Sequence, residues 1–143
     1  MILLDTSGLL AWIDAAQKQH AAVVAAMAAV EPPFLLSPFV LAELDSLLAT
    51  RVGSGAQLAF LGEVETGAYR LASFDAQDVG RARGIVEQYA DLEIGLADAS
   101  LVVLAERHRV RDLLTLDERH FRVLPAGGKP FRLLPADLSS AAT

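Results

Sequence analysis

The chain contains no cysteine, one tryptophan and two methionines in 143 residues. Without cysteine there is no disulfide, no thiolate nucleophile and no cysteine-based zinc site. Long apolar runs are missing too. The Ala21–Val30 run is apolar but falls well short of the roughly 18 residues that cross a bilayer. The N-terminus has neither a basic region nor an obvious cleavage site, so no signal peptide is expected. Together these absences favour the cytoplasm. Positive charge is scarce: 12 Lys and Arg stand against 18 Asp and Glu, for a net charge of −6. On its face that balance disfavours a nucleic-acid partner. Apolar residues are plentiful at 53%, and many are alanine. That is enough for a real core, and this length predicts one domain. We expect the domain to cover residues 1–135, with 136–143 as a tail whose end, Ser139–Thr143, frays.

Four carboxylates stand where apolar sequence should exclude them. Asp5 ends Met1-Ile2-Leu3-Leu4, and Glu43 lies within Val40-Leu41-Ala42-Glu43-Leu44. Asp98 interrupts a run that continues through Leu101-Val102-Val103-Leu104, and Asp117 ends Leu113-Leu114-Thr115-Leu116. A carboxylate is unwelcome in an apolar interior unless it is paired or metal-bound. Converging from distant positions, four such acids make a pocket of hard oxygen donors suited to Mg²⁺ or Mn²⁺. Setting those four charges aside leaves −2 on the rest of the chain. Seven of the twelve cations, Arg107, Arg109, Arg111, Arg119, Arg122, Lys129 and Arg132, fall in the last third. A basic surface beside an acidic metal pocket suits a phosphodiester substrate. The plainer reading of each of these residues is a solvated helix face or loop.

Short apolar runs alternate with helical patterns. Strands are expected at residues 2–5, 34–36, 113–116 and 131–134, with 69–72 a strand or an extended link. Helices are expected near 8–15, 20–30, 38–50, 55–65, from Ser73 or Asp75 to 89, and 97–108. Thr6-Ser7 can cap the first helix, and Ser37-Pro38 opens the third with a cap and a proline at its first position. This alternation predicts an α/β fold with a mostly parallel sheet covered on both faces. Sites in such sheets form at the carboxyl ends of strands, where Asp5 and Asp117 are placed.

Each acid also has a bland reading. Asp5 could cap the following helix, and Asp117 could cap a short turn before His120-Phe121. On a helical wheel Glu43 and Asp45 flank the apolar face on opposite sides, and the wheel does not choose between them. Asp98 falls among Leu101, Val102 and Ala105, within the buried stripe, where an ionised group needs a partner. Asp91 and Glu93 lie in a loop close to Asp98. The three histidines show no metal-ligand spacing and read as surface residues, although His120 is close enough to Asp117 to approach a substrate.

Four segments occur in order: Leu4-Asp5-Thr6-Ser7, Ala42-Glu43-Leu44, Leu96-Ala97-Asp98-Ala99 and Leu114-Thr115-Leu116-Asp117. With Leu-Ala-Glu-Arg-His and Leu-Thr-Leu-Asp-Glu-Arg-His-Phe between Asp98 and Phe121, the chain resembles the PIN-domain ribonucleases. Within that family it looks like the VapC toxins of VapBC toxin–antitoxin pairs, of mycobacterial type. The resemblance covers roughly residues 1–135 and singles out Glu43 over Asp45. It implies a sheet of four or five strands flanked by helices and an acidic pocket that holds one or two Mg²⁺ or Mn²⁺ ions. Asp5 and Asp98 are then the central ligands, Glu43 and Asp117 complete the catalytic cluster, and Thr6 and Thr115 add hydrogen bonds. The implied activity is endoribonuclease cleavage of a tRNA or a ribosomal RNA loop, which inhibits translation and leaves a 5′-phosphate and a 3′-hydroxyl. The implied partners are RNA, a VapB antitoxin whose basic segment fills the groove, and a second copy in a homodimer and hetero-oligomer. Arg107, Arg111, Arg119 and His120 are candidate phosphate contacts.

Other readings separate on residues. A haloacid-dehalogenase-like phosphatase needs a second Asp two residues after the first, where this chain has Ser7. A phospho-receiver domain needs paired acids at the first strand end and a lysine, and none occurs between Lys18 and Lys129. A non-catalytic PIN-like domain that only binds RNA or protein is the closer rival, and metal titration discriminates it.

Overall fold

A computed structural model describes residues 1–138, so the expected frayed end lies outside the described residues. Five strands form one parallel sheet: β1 (Ile2–Leu4), β2 (Phe34–Leu36), β3 (Arg70–Leu71), β4 (Asp112–Leu114) and β7 (Arg132–Leu134), in the order β3-β2-β1-β4-β7. Two-residue strands β5 (Pro125–Ala126) and β6 (Lys129–Pro130) form a separate antiparallel hairpin around Gly127-Gly128. Both glycines have positive φ, 61° and 82°, the backbone that a tight two-residue hairpin turn requires.

The inner strands are runs of Ile and Leu because both faces of the sheet are covered. Every residue of β1 is fully buried, as are Leu35, Leu36, Leu113 and Leu133. Covering them are α1 (Thr6–Ile13), α2 (His20–Met27), α3 (Pro38–Leu47), α4 (Ser54–Glu65), α5 (Ala76–Gln88), α6 (Leu96–His108) and the one-turn α7 (Glu118–Phe121). Among the described residues no helix is long and apolar enough to cross a membrane.

Several boundaries shift for identifiable reasons. Helix α1 starts two residues early because Asp5, not Thr6 or Ser7, takes the cap position, its carbonyl accepting from Leu9 N at 3.0 Å. The Thr6 and Ser7 hydroxyls are thereby free for other partners. Gly8 lets α1 press onto β4: a Cβ there would lie 2.6 Å from Leu114 O and Leu114 Cγ. In α3, Ser37 Oγ accepts from Phe39 N as expected of a cap. The helix was expected to run to residue 50, but from Leu48 to Val52 the chain widens into a π-turn, closed by Gly53 N donating to Leu48 O at 2.7 Å. Of the two rivals for the start of α5, Asp75 caps it, in a capping box with Asp78.

Helix α6 differs most from its wheel. Rather than burying one stripe, it is buried at every position from Ala97 to Ala105 except Asp98. It runs through the interior, so its sequence has no polar face to mark.

Candidate active site

Register brings the first two groups together. Leu4 of β1 is level with Leu114 of β4, so Asp5 and Thr115 leave the sheet side by side. Thr115 Oγ1 donates to Asp5 Oδ2 at 2.7 Å and Ser7 Oγ donates to the same oxygen at 2.9 Å. Ser7 Oγ in turn accepts from Leu116 N at 3.0 Å, tying the start of α1 to the end of β4. Although Asp5 stands at the cap position, its side chain caps nothing. Its carboxylate, on a residue only 6% exposed, is directed to the site instead.

Asp98 reaches the same place from the first turn of α6. His120 Nδ1 lies 3.1 Å from Asp98 Oδ2 and 2.9 Å from Asp117 Oδ2. Two flanking carboxylates favour the proton on that nitrogen, from which it bridges them. Asp117 has a second task, because its Oδ1 accepts from His120 N at 3.0 Å and caps α7. The capping reading and the site reading of Asp117 thus both hold geometrically. Ligand atoms of Asp98, Asp117 and His120 all lie within 4.8 Å of one another.

Glu43 joins through a hydroxyl. Thr6 Oγ1 donates to Glu43 Oε1 at 2.7 Å, whereas Asp45 turns to Gln57 Nε2 at 2.8 Å. These bonds put Glu43 on the side of α3 that faces Asp5. Glu43 does not itself line the cleft formed by Asp5, Asp98 and Asp117, and its residue is exposed. That cleft has a volume of about 400 Å³, with Ser7, Gln17, Leu47, Arg51 and Leu116 among its walls.

Electrostatically the cleft is dominated by carboxylates, with Arg51 the one cation among its lining residues. Burial pushes the Asp5 carboxyl above its ordinary range, against the hydrogen bonds from Thr115 and Ser7, and Asp117 pushes it further. Asp98 is raised to about 6, first by burial and then by Asp5 and Asp117, with His120 opposing. Carboxylates close to one another, without an arginine or lysine ion pair among the described residues, fit a divalent ion. The oxygen donors suit Mg²⁺ or Mn²⁺.

The basic residues fall elsewhere. Arg107 pairs with Asp78 and donates to Ser73 O. Arg111 Nε donates to Pro130 O at 2.9 Å, in a different cleft that it shares with Arg109 and Lys129. Arg122 binds Asp137 and Glu118, and Arg132 binds Asp112. None of these residues lines the acidic cleft, and neither does Arg119. The expected phosphate contacts Arg107, Arg111 and Arg119 therefore lie outside the acidic cleft. Proximity in sequence to Asp98 misled, since α6 carries Arg107 about 14 Å from Asp98 by helical rise. Asp91 and Glu93 are exposed and do not line the cleft either.

His120 and Arg51 are what sequence reading undervalued. The signal for His120 was its position three residues after Asp117, which shares a face once a helical turn forms.

The sequence profile of the PIN domain matches residues 2–126. The chain belongs to the PIN-domain family. It is 49% identical over 135 residues to ribonuclease VapC26 of Mycobacterium tuberculosis, an alignment that covers 94% of this chain and 100% of that protein. This similarity places it among the VapC ribonucleases of that family. Among solved structures, Mycobacterium tuberculosis VapC20, a toxin that cleaves the sarcin-ricin loop, superposes with a TM-score of 0.77 at 21% identity, covering 83% of this chain and 92% of that one. A toxin-antitoxin complex from Klebsiella pneumoniae gives a TM-score of 0.68 at 17% identity, covering 88% and 94%. Both likenesses are likenesses of fold. The expected α/β architecture, with its parallel sheet flanked by helices, is thus the PIN architecture.

Proposed function

We propose that the chain is the endoribonuclease toxin of a toxin–antitoxin pair, and that it hydrolyses RNA phosphodiester bonds with the help of Mg²⁺ or Mn²⁺. The observation that carries this reading is the convergence of Asp5, Asp98 and Asp117 on one cleft without an arginine or lysine ion pair among the described residues. Asp5, Asp98 and Asp117 would hold the ion, with Glu43 completing the set directly or through water. Thr115 and Ser7 keep the Asp5 carboxylate aimed into the cleft, and Thr6 holds Glu43 at its edge. His120 holds Asp98 and Asp117 together through one nitrogen. A bound divalent ion supplies an activated water, charge neutralisation on the phosphate and stabilisation of the leaving oxygen.

Water rather than the 2′-hydroxyl is the nucleophile in this reading, so preference for RNA comes from shape and from bases presented in a loop. A tRNA or a ribosomal RNA loop is the substrate class, and translation is what its cleavage inhibits. The partners are an antitoxin with a basic segment, drawn to the acidic cleft, and a second copy of this chain. The working unit is one PIN domain over residues 1–135, acting in the cytoplasm. Cleavage of RNA by the wild type, Asp5→Asn and Asp98→Asn in Mg²⁺ tests the assignment. Both variants should be inactive, and full activity in either one overturns it.

A further inference from the structure

Arg51 is the one arginine or lysine that lines the acidic cleft, and none of the cation-rich last third does so. Arg81, Arg83, Arg107, Arg122 and Arg132 have carboxylate partners. The Arg51 side chain makes neither an ion pair nor a hydrogen bond among the described residues, although it shares a cleft with three aspartates. Its exposure follows from its place on the π-turn Leu48–Val52. Such turns are rare and occur mostly at functional sites, because the wider ring gives up good helical geometry. Here the turn has a spatial consequence. Glu43, Leu47 and Arg51 are spaced by four, a series that drifts around an α-helix. A turn closed between residues five apart rotates less per residue, which offsets the drift and returns Arg51 to the side of Glu43 and Leu47.

We infer that Arg51 is a substrate-binding residue that grips a non-bridging phosphate oxygen of the RNA next to the scissile bond. This inference rests on the ribonuclease reading. The chemistry matches: a planar, permanently charged guanidinium binds phosphate through two parallel N–H donors. A divalent ion among Asp5, Asp98 and Asp117 neutralises the groups that compete for Arg51, leaving its charge to the substrate. Leu47 and Leu116 line the same walls and give the guanidinium stem an apolar rest.

The test uses the full chain, a panel of fluorescein-labelled RNA stem-loops drawn from tRNA and ribosomal RNA, and Mn²⁺. Three quantities are measured for wild type, Arg51→Ala and Arg51→Lys: kcat and KM for cleavage, the dependence of RNA binding on salt, and Mn²⁺ affinity. Arg51→Ala should lower kcat/KM about tenfold to a hundredfold, mainly through KM, the scale of a lost charge-assisted bond. Its salt slope should fall by about 0.7, the share of one phosphate contact on a single strand. Arg51→Lys should keep the slope and recover part of kcat/KM, and Mn²⁺ affinity should be the same in all three. An active wild type beside an Arg51→Ala variant of equal kcat/KM and salt slope overturns the assignment alone. So does a parallel loss of Mn²⁺ affinity, which makes Arg51 a shaper of the acid site instead. A wild type that neither binds nor cleaves the RNA overturns the ribonuclease reading and Arg51 with it.

Discussion

At its C-terminal end, α6 presents Glu106 to Arg81 and Arg107 to Asp78, so each charge there has an opposite partner. At its N-terminal end, Asp98 faces Asp5 and Asp117, and the basic group that bridges Asp98 and Asp117 is His120. The titrations diverge accordingly. Asp78 is lowered by its bond to Arg107, while Asp98 is raised by burial and by its acidic neighbours. One helix therefore carries a settled end and an unsettled one. Paired charge serves the fold, whereas a partly buried acid held beside other acids is tolerated only where a site requires it.

The largest effect should come from exchanging charge at the two ends. Asp98→Asn should reduce RNA cleavage by at least about a hundredfold, the scale on which metal-site and charge-stabilising groups act. Arg107→Ala should leave kcat and KM unchanged and lower the thermal midpoint. A side-by-side assay with calorimetry checks both, and the comparison breaks if the two variants lose activity equally.

A pH series on metal-free protein should give opposite slopes at the two ends. Asp98 titrates near 6 in the fold against 3.8 when unperturbed, so the fold favours its neutral form. That contribution is present below about pH 4 and is lost as pH rises through 6, amounting to at most about 3 kcal/mol. Asp78 has a lowered pKa, so its contribution is present at neutral pH and is lost on acidification. Urea unfolding of wild type and Asp98→Asn across this range separates them: the variant should show a shallower decline between pH 4 and 7, the remainder coming from the raised Asp5. Saturating Mn²⁺ should reverse that decline in the wild type.

A smaller effect should follow from Thr115→Val, which keeps the shape but removes the bond to Asp5 and the acceptor of Asp117 N. It should cost about 1 kcal/mol of stability, and it should impair cleavage less than Asp5→Asn does. Equal impairment would mean that the hydroxyl does more than orient Asp5.

Much of this was legible in order along the chain, and less of it in space. Triplets of Leu and Ile marked the inner strands, and Ser37-Pro38 marked the start of α3, because those signals are local. Asp98 was found because an acid within a long apolar run is conspicuous wherever the helix points. The arginines misled because α6 carries adjacent sequence away from the site. Arg51 was hidden because a helical wheel assumes a constant turn, and the π-turn breaks that assumption. His120 was expected near the substrate but not as a bridge between acids, because Asp98, one of its two partners, lies 22 positions away. The β5–β6 hairpin has strands too short to leave a periodic signal.

The most direct test of the unsettled end is a calorimetric titration of Mn²⁺ into the protein at neutral pH and again below pH 6, where Asp98 is protonated. Wild type should bind saturably at neutral pH and weaken on acidification, Arg107→Ala should match it, and Asp98→Asn should bind far more weakly or not at all. No binding by the wild type, or undiminished binding by Asp98→Asn, would contradict the claim that these acids are held together for a metal ion.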